Sequence, residues 1–264
     1  MSKKIAIIGG GNLGSAIAEG LLKSKFSKAA DIIVTKRNTA TLLALKEKGV
    51  SVTDNNNDTV QKSDIVILAV KPFQVTDVLS GIKNELTKNK VLISVVTGVL
   101  ISEMENILTP ELSFFRAMPN TAISLQQSMT CICSKNASEE EIKYVTDLFN
   151  KLGKVVTIDE KLMEAATILG ACGIAYALRF IRANIQGGIE IGFDADTATL
   201  IASQTVKGAA ELLIQTGHHP EQEIDKVTTP KGCTIAGLNE MEHRGFSSSL
   251  IRGVVASYKK IAKD

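Results

Sequence analysis

Short, nearly continuous apolar runs recur through the first part of the chain, separated by stretches in which apolar positions return at helical spacing. "KIAIIG", "DIIVT", "DIVILAV", "KVLISVV" and "LSFFRAM" are such runs, and "SMTCICS" and "KVVTID" follow them. Runs without polar alternation predict strands buried on both faces. Between them the spacing predicts helices over Leu13–Ser24, Thr39–Lys48, Val75–Leu86 and Ser102–Leu108. Strand–helix alternation of this kind predicts a parallel sheet with helices on both sides.

The pattern changes near Asp159. Beyond it only helical periodicity is found, over Lys161–Gly187, Asp194–Thr216, Pro220–Lys226, Ile235–His243 and Ser247–Lys263, much of it rich in alanine. The expected organisation is therefore an α/β domain over 1–159 and an all-helical domain over 160–264. No unit repeats along the chain, which argues against a solenoid.

Composition narrows the function classes. In 264 residues, 44% apolar and 22% charged with a net charge of +2, nothing favours a polyanionic partner. No basic run alternates with aromatics and there is no tryptophan, so no nucleic-acid partner is expected. Cys131, Cys133, Cys172 and Cys233 form no CxxC pair and have no histidine at zinc-ligand spacing, so no metal is expected and the thiols read as reduced. The N-terminus passes straight into a strand without a signal-peptide pattern. The uncharged stretch Ala165–Leu178 is shorter than the roughly 20 residues of a membrane span. It reads as a helix packed between other helices, and a cytoplasmic protein is expected.

The chemistry begins at "IAIIGGGNLGSAIAEGLL", where Gly9, Gly11 and Gly14 follow a strand and open a helix in G-x-G-x-x-G spacing. Gly9 permits the tight turn, Gly11 lets the backbone approach a pyrophosphate, and Gly14 lets helix and strand pack. A plain tight turn is the competing reading. At the end of the second strand, "IIVTKRN" places Thr35 where an NAD enzyme usually has an acid, followed by Lys36 and Arg37. Two cations and a hydroxyl suit a 2′-phosphate, which favours NADP(H) over NAD(H); a solvated charged turn is the alternative. "ILAVKPFQ", "SVVTGV" and "RAMPNT" end later strands on the same edge.

With these pieces in order, the chain resembles the pyrroline-5-carboxylate reductase family over nearly its whole length. The resemblance rests on "IGGGNLG", "DIVILAVKP", "SVVTGV", "RAMPNTA", "ASQTVKGAAELL", "HHPEQEIDKVTTPKGCTIAGL" and "GFSSSLIRGV". It implies an N-terminal Rossmann dinucleotide-binding domain followed by an all-helical dimerisation domain. It also implies a homodimer, in many members joined into rings, and NADPH (with NADH as the alternative) as reductant of a small cyclic imine. By matching position, Gly9, Gly11, Asn12 and Leu13 would meet the phosphates, Thr35, Lys36 and Arg37 the 2′-phosphate, and Asn56 the adenosine. Ala69, Val70, Lys71, Pro72 and Thr97 would border the nicotinamide.

The loop "TTPKGCTIAGL", Thr228 to Leu238, matches the family's substrate loop, with Thr234 on its imine-facing threonine. It has hydroxyls, a thiol and glycines but no carboxyl or imidazole. That suffices for a cyclic imine, whose nitrogen can enter already protonated. Thr234 is assigned to the ring nitrogen, and the Gly232, Cys233 and Thr234 backbone to the substrate carboxylate. Met118 and Asn120 are candidates for the pocket floor, although Met118 fits the core equally well. A mere helix-capping turn at Pro230 and Thr234 is the competing reading of the loop. Lys231, Cys233, "GACGIAY" over Gly170–Tyr176 and Arg182 depart from the family's usual residues. His218, His219 and His243 read as surface or capping residues.

Two rivals remain at this point. A β-hydroxyacid dehydrogenase would carry a catalytic lysine where Arg179 stands, and arginine does not exchange protons at neutral pH. A non-catalytic NADP(H)-binding homologue would explain the altered substrate loop.

Overall fold

The structure is a computed structural model and describes residues 3–108 and 111–262. Lys263, the expected end of the last helix, lies outside them. In chain order the first elements are β1 (Ile5–Ile8), α1 (Asn12–Lys23), β2 (Ile32–Thr35), α2 (Leu43–Glu47), β3 (Ser51–Thr53), α3 (Asn56–Gln61) and β4 (Ile65–Leu68). Then come α4 (Val75–Ile82), β5 (Val91–Ser94), α5 (Ile101–Glu105), β6 (Ser113–Met118), β7 (Ser128–Lys135), α6 (Glu139–Asn150), β8 (Gly153–Thr157) and α7 (Met163–Ala166). Contacts divide the chain into two compact units, Met1–Cys172 and Gly173–Asp264.

In the first unit the strands form one sheet in the order β3-β2-β1-β4-β5-β6-β7-β8. All neighbours are parallel except β6 and β7. The antiparallel step follows from the link between them: a 3-10 turn over Thr121–Leu125 is too short for the crossover that a parallel pair requires.

Alternation along each strand divides two cores. Ile5, Ile7, Ile65, Ile67, Ile93, Phe115 and Ala117 pack on one face with Ile17 and Leu21 of α1 and Val145, Leu148 and Phe149 of α6. Ala6, Ile8, Val66, Leu68, Leu92, Phe114 and Met118 pack on the other with Leu79 of α4, Met104 of α5 and Met163 of α7. Each fully buried aliphatic or Phe side chain contributes about 1.5–3 kcal/mol. The segment Glu160–Cys172 belongs by contact to this unit, because Met163 is buried in the second core and Glu160 and Glu164 pair with Arg116 of β6.

Three elements were not expected. β3 and α3 are short and polar, and α6 carries charge on most of its exposed face. The helix expected over Thr39–Lys48 begins instead as a 3-10 turn, Thr39–Leu42, with the Asn38 side chain accepting from the Ala40 amide, and only Leu43–Glu47 is α-helical.

The second unit contains α8 (Gly173–Glu190), α9 (Ala195–Thr216), α10 (Pro220–Lys226), α11 (Cys233–His243) and α12 (Phe246–Ala262). Asp194 caps α9 by accepting from the Asp196 and Thr197 amides, and His219 caps α10 by accepting from the Glu221 amide. α8 and α9 approach closely where Gly188 faces Ala198. Tyr176 donates to the Ser257 hydroxyl at 2.7 Å, joining α8 to α12.

Among the described residues of this unit, only Ile185, Ala198 and Ala202 form a buried cluster. The expected burial of Ala165–Leu178 between other helices is met only in part: Thr167 and Ile168 are buried, whereas Leu169 is 75% and Leu178 58% exposed, and Leu200, Ile214 and Ile251 are exposed as well. Too few helices surround α8 to cover it. By length and composition alone, the helical run Glu160–Glu190 is apolar enough to cross a membrane.

α6 carries a titratable feature. Burial pushes the Glu141 carboxyl up, but bonds from the Ser138 amide, the Ser138 hydroxyl and the Ser113 hydroxyl outweigh it and hold it below the usual glutamate range. A carboxyl depressed on folding stabilises the fold above its unfolded-state pKa, and that stabilisation disappears as pH falls through the folded value. Glu141→Gln is therefore expected to lower Tm at neutral pH, with the gap from the parent closing below about pH 4. Thermal melts across this range check it; a gap that persists unchanged in acid would show that charge is not its cause.

Candidate functional site

The carboxyl ends of β1, β2, β3, β4 and β5 open onto a groove of about 780 Å³. Its geometry starts at the turn after β1. The amides of Gly9 and Gly10 both donate to the Thr35 carbonyl, at 3.2 and 2.7 Å, so the end of β2 pins the glycine turn. Gly9 has φ +110°, and a Cβ there would collide with the Ala69 carbonyl. A Cβ on Gly14 would strike the Gly9 carbonyl, whereas one on Gly11 would meet no protein atom, only the open groove that its backbone lines.

Gly11 is the N-cap of α1 and supplies no side-chain bond, and no acid lies in the first turn. The first amides of α1 therefore face the groove without an acceptor among the described residues, which is the arrangement that binds a phosphate. Every expected cofactor residue lines this groove: Gly9, Gly11, Asn12, Leu13, Thr35, Lys36, Arg37, Asn56, Ala69, Val70, Lys71, Pro72 and Thr97.

Their roles separate on burial. Thr35 is buried and its carbonyl anchors the turn, while Arg37 is exposed and Lys36 half-buried. Neither cation makes an ion pair or side-chain hydrogen bond among the described residues. The sequence reading missed Asn38, Asp54, Gln74 and Val95, which also line the groove. Asp54 follows the short polar strand β3, which carried no apolar signal to place it.

The expected substrate residues fall in two places. Met118 and Asn120 end β6 in the first unit and are both buried. Met118 reaches the groove only through Thr97, whose hydroxyl lies 3.9 Å from its sulfur. Asn120 is held at both side-chain atoms: its oxygen accepts from the Ala122 amide at 3.0 Å, and its amide nitrogen donates to the Gly170 carbonyl at 3.1 Å. That second bond takes up a carbonyl within the π-helical turn Thr167–Cys172. Neither residue lines the groove.

Gly232, Cys233 and Thr234 lie in the second unit. The turn Thr229–Gly232 is closed by the Gly232 amide donating to the Thr229 carbonyl at 2.9 Å, with Lys231 at φ +59°. α11 begins two residues earlier than expected, so Thr234 sits in its first turn. Gly232 is the N-cap, with no capping side chain and no acid in the first turn. The turn does end in the N-cap of α11, as the competing reading of a helix-capping turn has it, with Gly232 and not Thr234 in the cap position. Cys233 is exposed and Thr234 half-buried.

In the same unit as the groove, Arg116 of β6 is almost fully buried. Its guanidinium meets Glu160 and Glu164 at 3.1 Å each, and its Nε has no partner. Glu160 also accepts from the Ile101 amide at 2.8 Å. Burial pushes the neighbouring Cys133 thiol up to about 11, with Glu160 adding to the rise, so this cysteine is an unreactive core group.

A glycine turn on a 3-2-1-4-5-6 sheet, with an uncapped helix facing a groove lined by unpaired cations, defines a dinucleotide-dependent oxidoreductase. Comparison with known proteins sharpens the class. Residues 160–264 match the family model described as pyrroline-5-carboxylate reductase dimerisation, and residues 4–98 match one described as NADP oxidoreductase, coenzyme F420-dependent. Pyrroline-5-carboxylate reductase 2 of Dictyostelium discoideum is 43% identical over 99% of this chain and 93% of its own length. Pyrroline-5-carboxylate reductase 1 of the same organism is 48% identical over 98% of this chain, which spans about half (49%) of that longer relative. A crystal structure of Plasmodium falciparum pyrroline carboxylate reductase with NADP bound superposes with a TM-score of 0.88 at 30% identity, covering 98% of this chain and 97% of that one. The chain belongs to the pyrroline-5-carboxylate reductase family.

The Arg116 cluster yields a stability prediction. Arg116→Met leaves two partly buried carboxylates without their cation, a change that costs about 3–5 kcal/mol when a buried pair loses one partner. A drop in Tm of roughly 6–15 °C in calorimetry is expected; a drop of under about 2 °C would show that the pair is not needed for the fold.

Proposed function

We propose that this protein reduces the cyclic imine 1-pyrroline-5-carboxylate to L-proline, with NADPH as reductant. The observation that carries the reading is a pair of helix N-termini, at α1 and α11, each opened by a glycine, each without a capping side chain and each without an acid in its first turn. Both therefore keep free amides for an anion. α1 is assigned the dinucleotide phosphates and α11 the substrate carboxylate. The 1–159 segment is read as the NADP-binding domain and 160–264 as the substrate and dimerisation domain.

The residues of the groove fit the cofactor. Gly9, Gly11, Asn12 and Leu13 would hold the pyrophosphate, Lys36 and Arg37 the 2′-phosphate, and Asn56 the adenosine. Ala69, Val70, Lys71, Pro72 and Thr97 would border the ring. When bound, the dihydronicotinamide supplies the hydride.

The chain's own groups then have three tasks. The Gly232, Cys233 and Thr234 backbone orients the carboxylate, the Thr234 hydroxyl fixes the ring nitrogen, and the small Ala69 leaves space for the cofactor. A substrate nitrogen that arrives protonated needs no proton donor to accept hydride at the adjacent carbon. This suits a loop without carboxyl or imidazole. Arg179, standing where a β-hydroxyacid dehydrogenase has its lysine, disfavours ketone chemistry.

The exposed apolar faces of α8, α9 and α12 support a homodimer, in which a second copy would cover what one chain leaves open. Rings of dimers would be an extension of that assembly, and the mass in solution distinguishes the two. A cytoplasmic location suits four free thiols.

NADPH oxidation measured with 1-pyrroline-5-carboxylate beside other cyclic imines, keto acids and 3-hydroxy acids tests the function. Turnover confined to a keto or hydroxy acid would overturn it. Thr234→Ala is expected to lower imine reduction by about ten- to a hundredfold, the loss of one oriented polar contact, with NADPH affinity nearly unchanged. Unaltered turnover would remove Thr234 from the mechanism. Lys36→Ala with Arg37→Ala is expected to weaken NADPH by roughly tenfold and NADH by no more than about twofold. An unchanged preference would mean that other residues hold the 2′-phosphate.

A further inference from the structure

We infer that Asp54 is a specificity-determining residue of the nucleotide groove: its carboxylate restrains the preference for the 2′-phosphorylated dinucleotide and keeps the groove open to the unphosphorylated one. The inference rests on the reading of the groove as the dinucleotide site. It begins with register. β2 and β3 are parallel with Thr35 opposite Thr53, and the Lys36 amide donates to the Thr53 carbonyl at 3.0 Å. Asp54 therefore leaves the sheet beside Lys36, at the ends of neighbouring strands about 4.8 Å apart. Both residues line the groove, together with Arg37 and Asn38.

Asp54 has no structural task that would account for its charge. The neighbouring Asn55, not Asp54, caps α3 by accepting from the Asp58 amide at 3.0 Å. The Asp54 carboxylate is exposed and makes no ion pair or side-chain hydrogen bond among the described residues, and the same holds for Lys36 and Arg37. Two unpaired cations and one unpaired carboxylate thus face one space.

A dinucleotide site that selects the free ribose commonly places an acid at the end of the second strand, where it accepts from the 2′-hydroxyl. Here Thr35 occupies that position, and the acid lies one strand outward. A 2′-phosphate carries nearly two negative charges, so Asp54 opposes it while Lys36 and Arg37 attract it. A 2′-hydroxyl meets no such repulsion and can donate to the carboxylate. The balance between the two cofactors is therefore set by this third charge.

Equilibrium titration of NADPH and of NADH into the parent protein and Asp54→Asn, followed by nucleotide fluorescence, tests this without reference to turnover. Asp54→Asn is expected to tighten NADPH by about three- to tenfold and to weaken or leave unchanged NADH, with the NADPH effect shrinking as salt is raised. An unchanged ratio of the two affinities, whether both move together or neither moves, overturns the inference. A parent protein that binds neither dinucleotide overturns the groove reading itself, and this inference with it.

Discussion

The arrangement of the first unit depends on one carbonyl. The Thr35 oxygen receives two amides of the glycine turn, and through them it fixes where α1 begins relative to the sheet edge. Because Gly9 approaches the Ala69 carbonyl and Gly14 approaches Gly9, no side chain can intrude and the turn has little freedom to shift. The first amides of α1 are consequently held toward open space without an acceptor. An uncapped helix end costs stability unless an anion satisfies it, so the geometry that leaves it open suits a phosphate.

The two units solve the burial problem differently. The sheet of the first unit is covered on both faces, with β1, β4 and β5 alternating side chains into two separate cores. A buried arginine stands within the sheet, where Arg116 ties β6 to the segment Glu160–Glu164. The second unit buries only a small cluster between α8 and α9 and leaves large aliphatic side chains in water. A chain of helices in that condition is incomplete by itself. The same unit carries the Thr/Gly turn before α11, so the proposed substrate loop and the exposed apolar faces fall on one set of helices.

Much of this was legible in the sequence because it follows from strong local signals. Continuous apolar runs located β1, β2, β4, β5 and β6, and the spacing of Gly9, Gly11 and Gly14 located the groove that the expected cofactor residues line. What escaped was polar and short. β3 has only Ser51, Val52 and Thr53, and without it Asp54 could not be placed beside Lys36. Asn120 looked like a pocket residue because it ends a strand, but its amide is taken up by Ala122 and Gly170. The expected burial of Ala165–Leu178 failed over its later part for a different reason: periodicity shows which face is apolar, not what covers it.

The central claim is that a pocket of amides and hydroxyls aims an already protonated imine at the reductant. Its most direct test is the fate of the transferred hydrogen. With NADPH deuterated at both C4 positions and 1-pyrroline-5-carboxylate as substrate, mass spectrometry and NMR should find proline with one deuterium on the ring carbon that had been doubly bonded to nitrogen. Proline formed without that deuterium, or no proline at all from a folded protein that binds NADPH, would contradict the account.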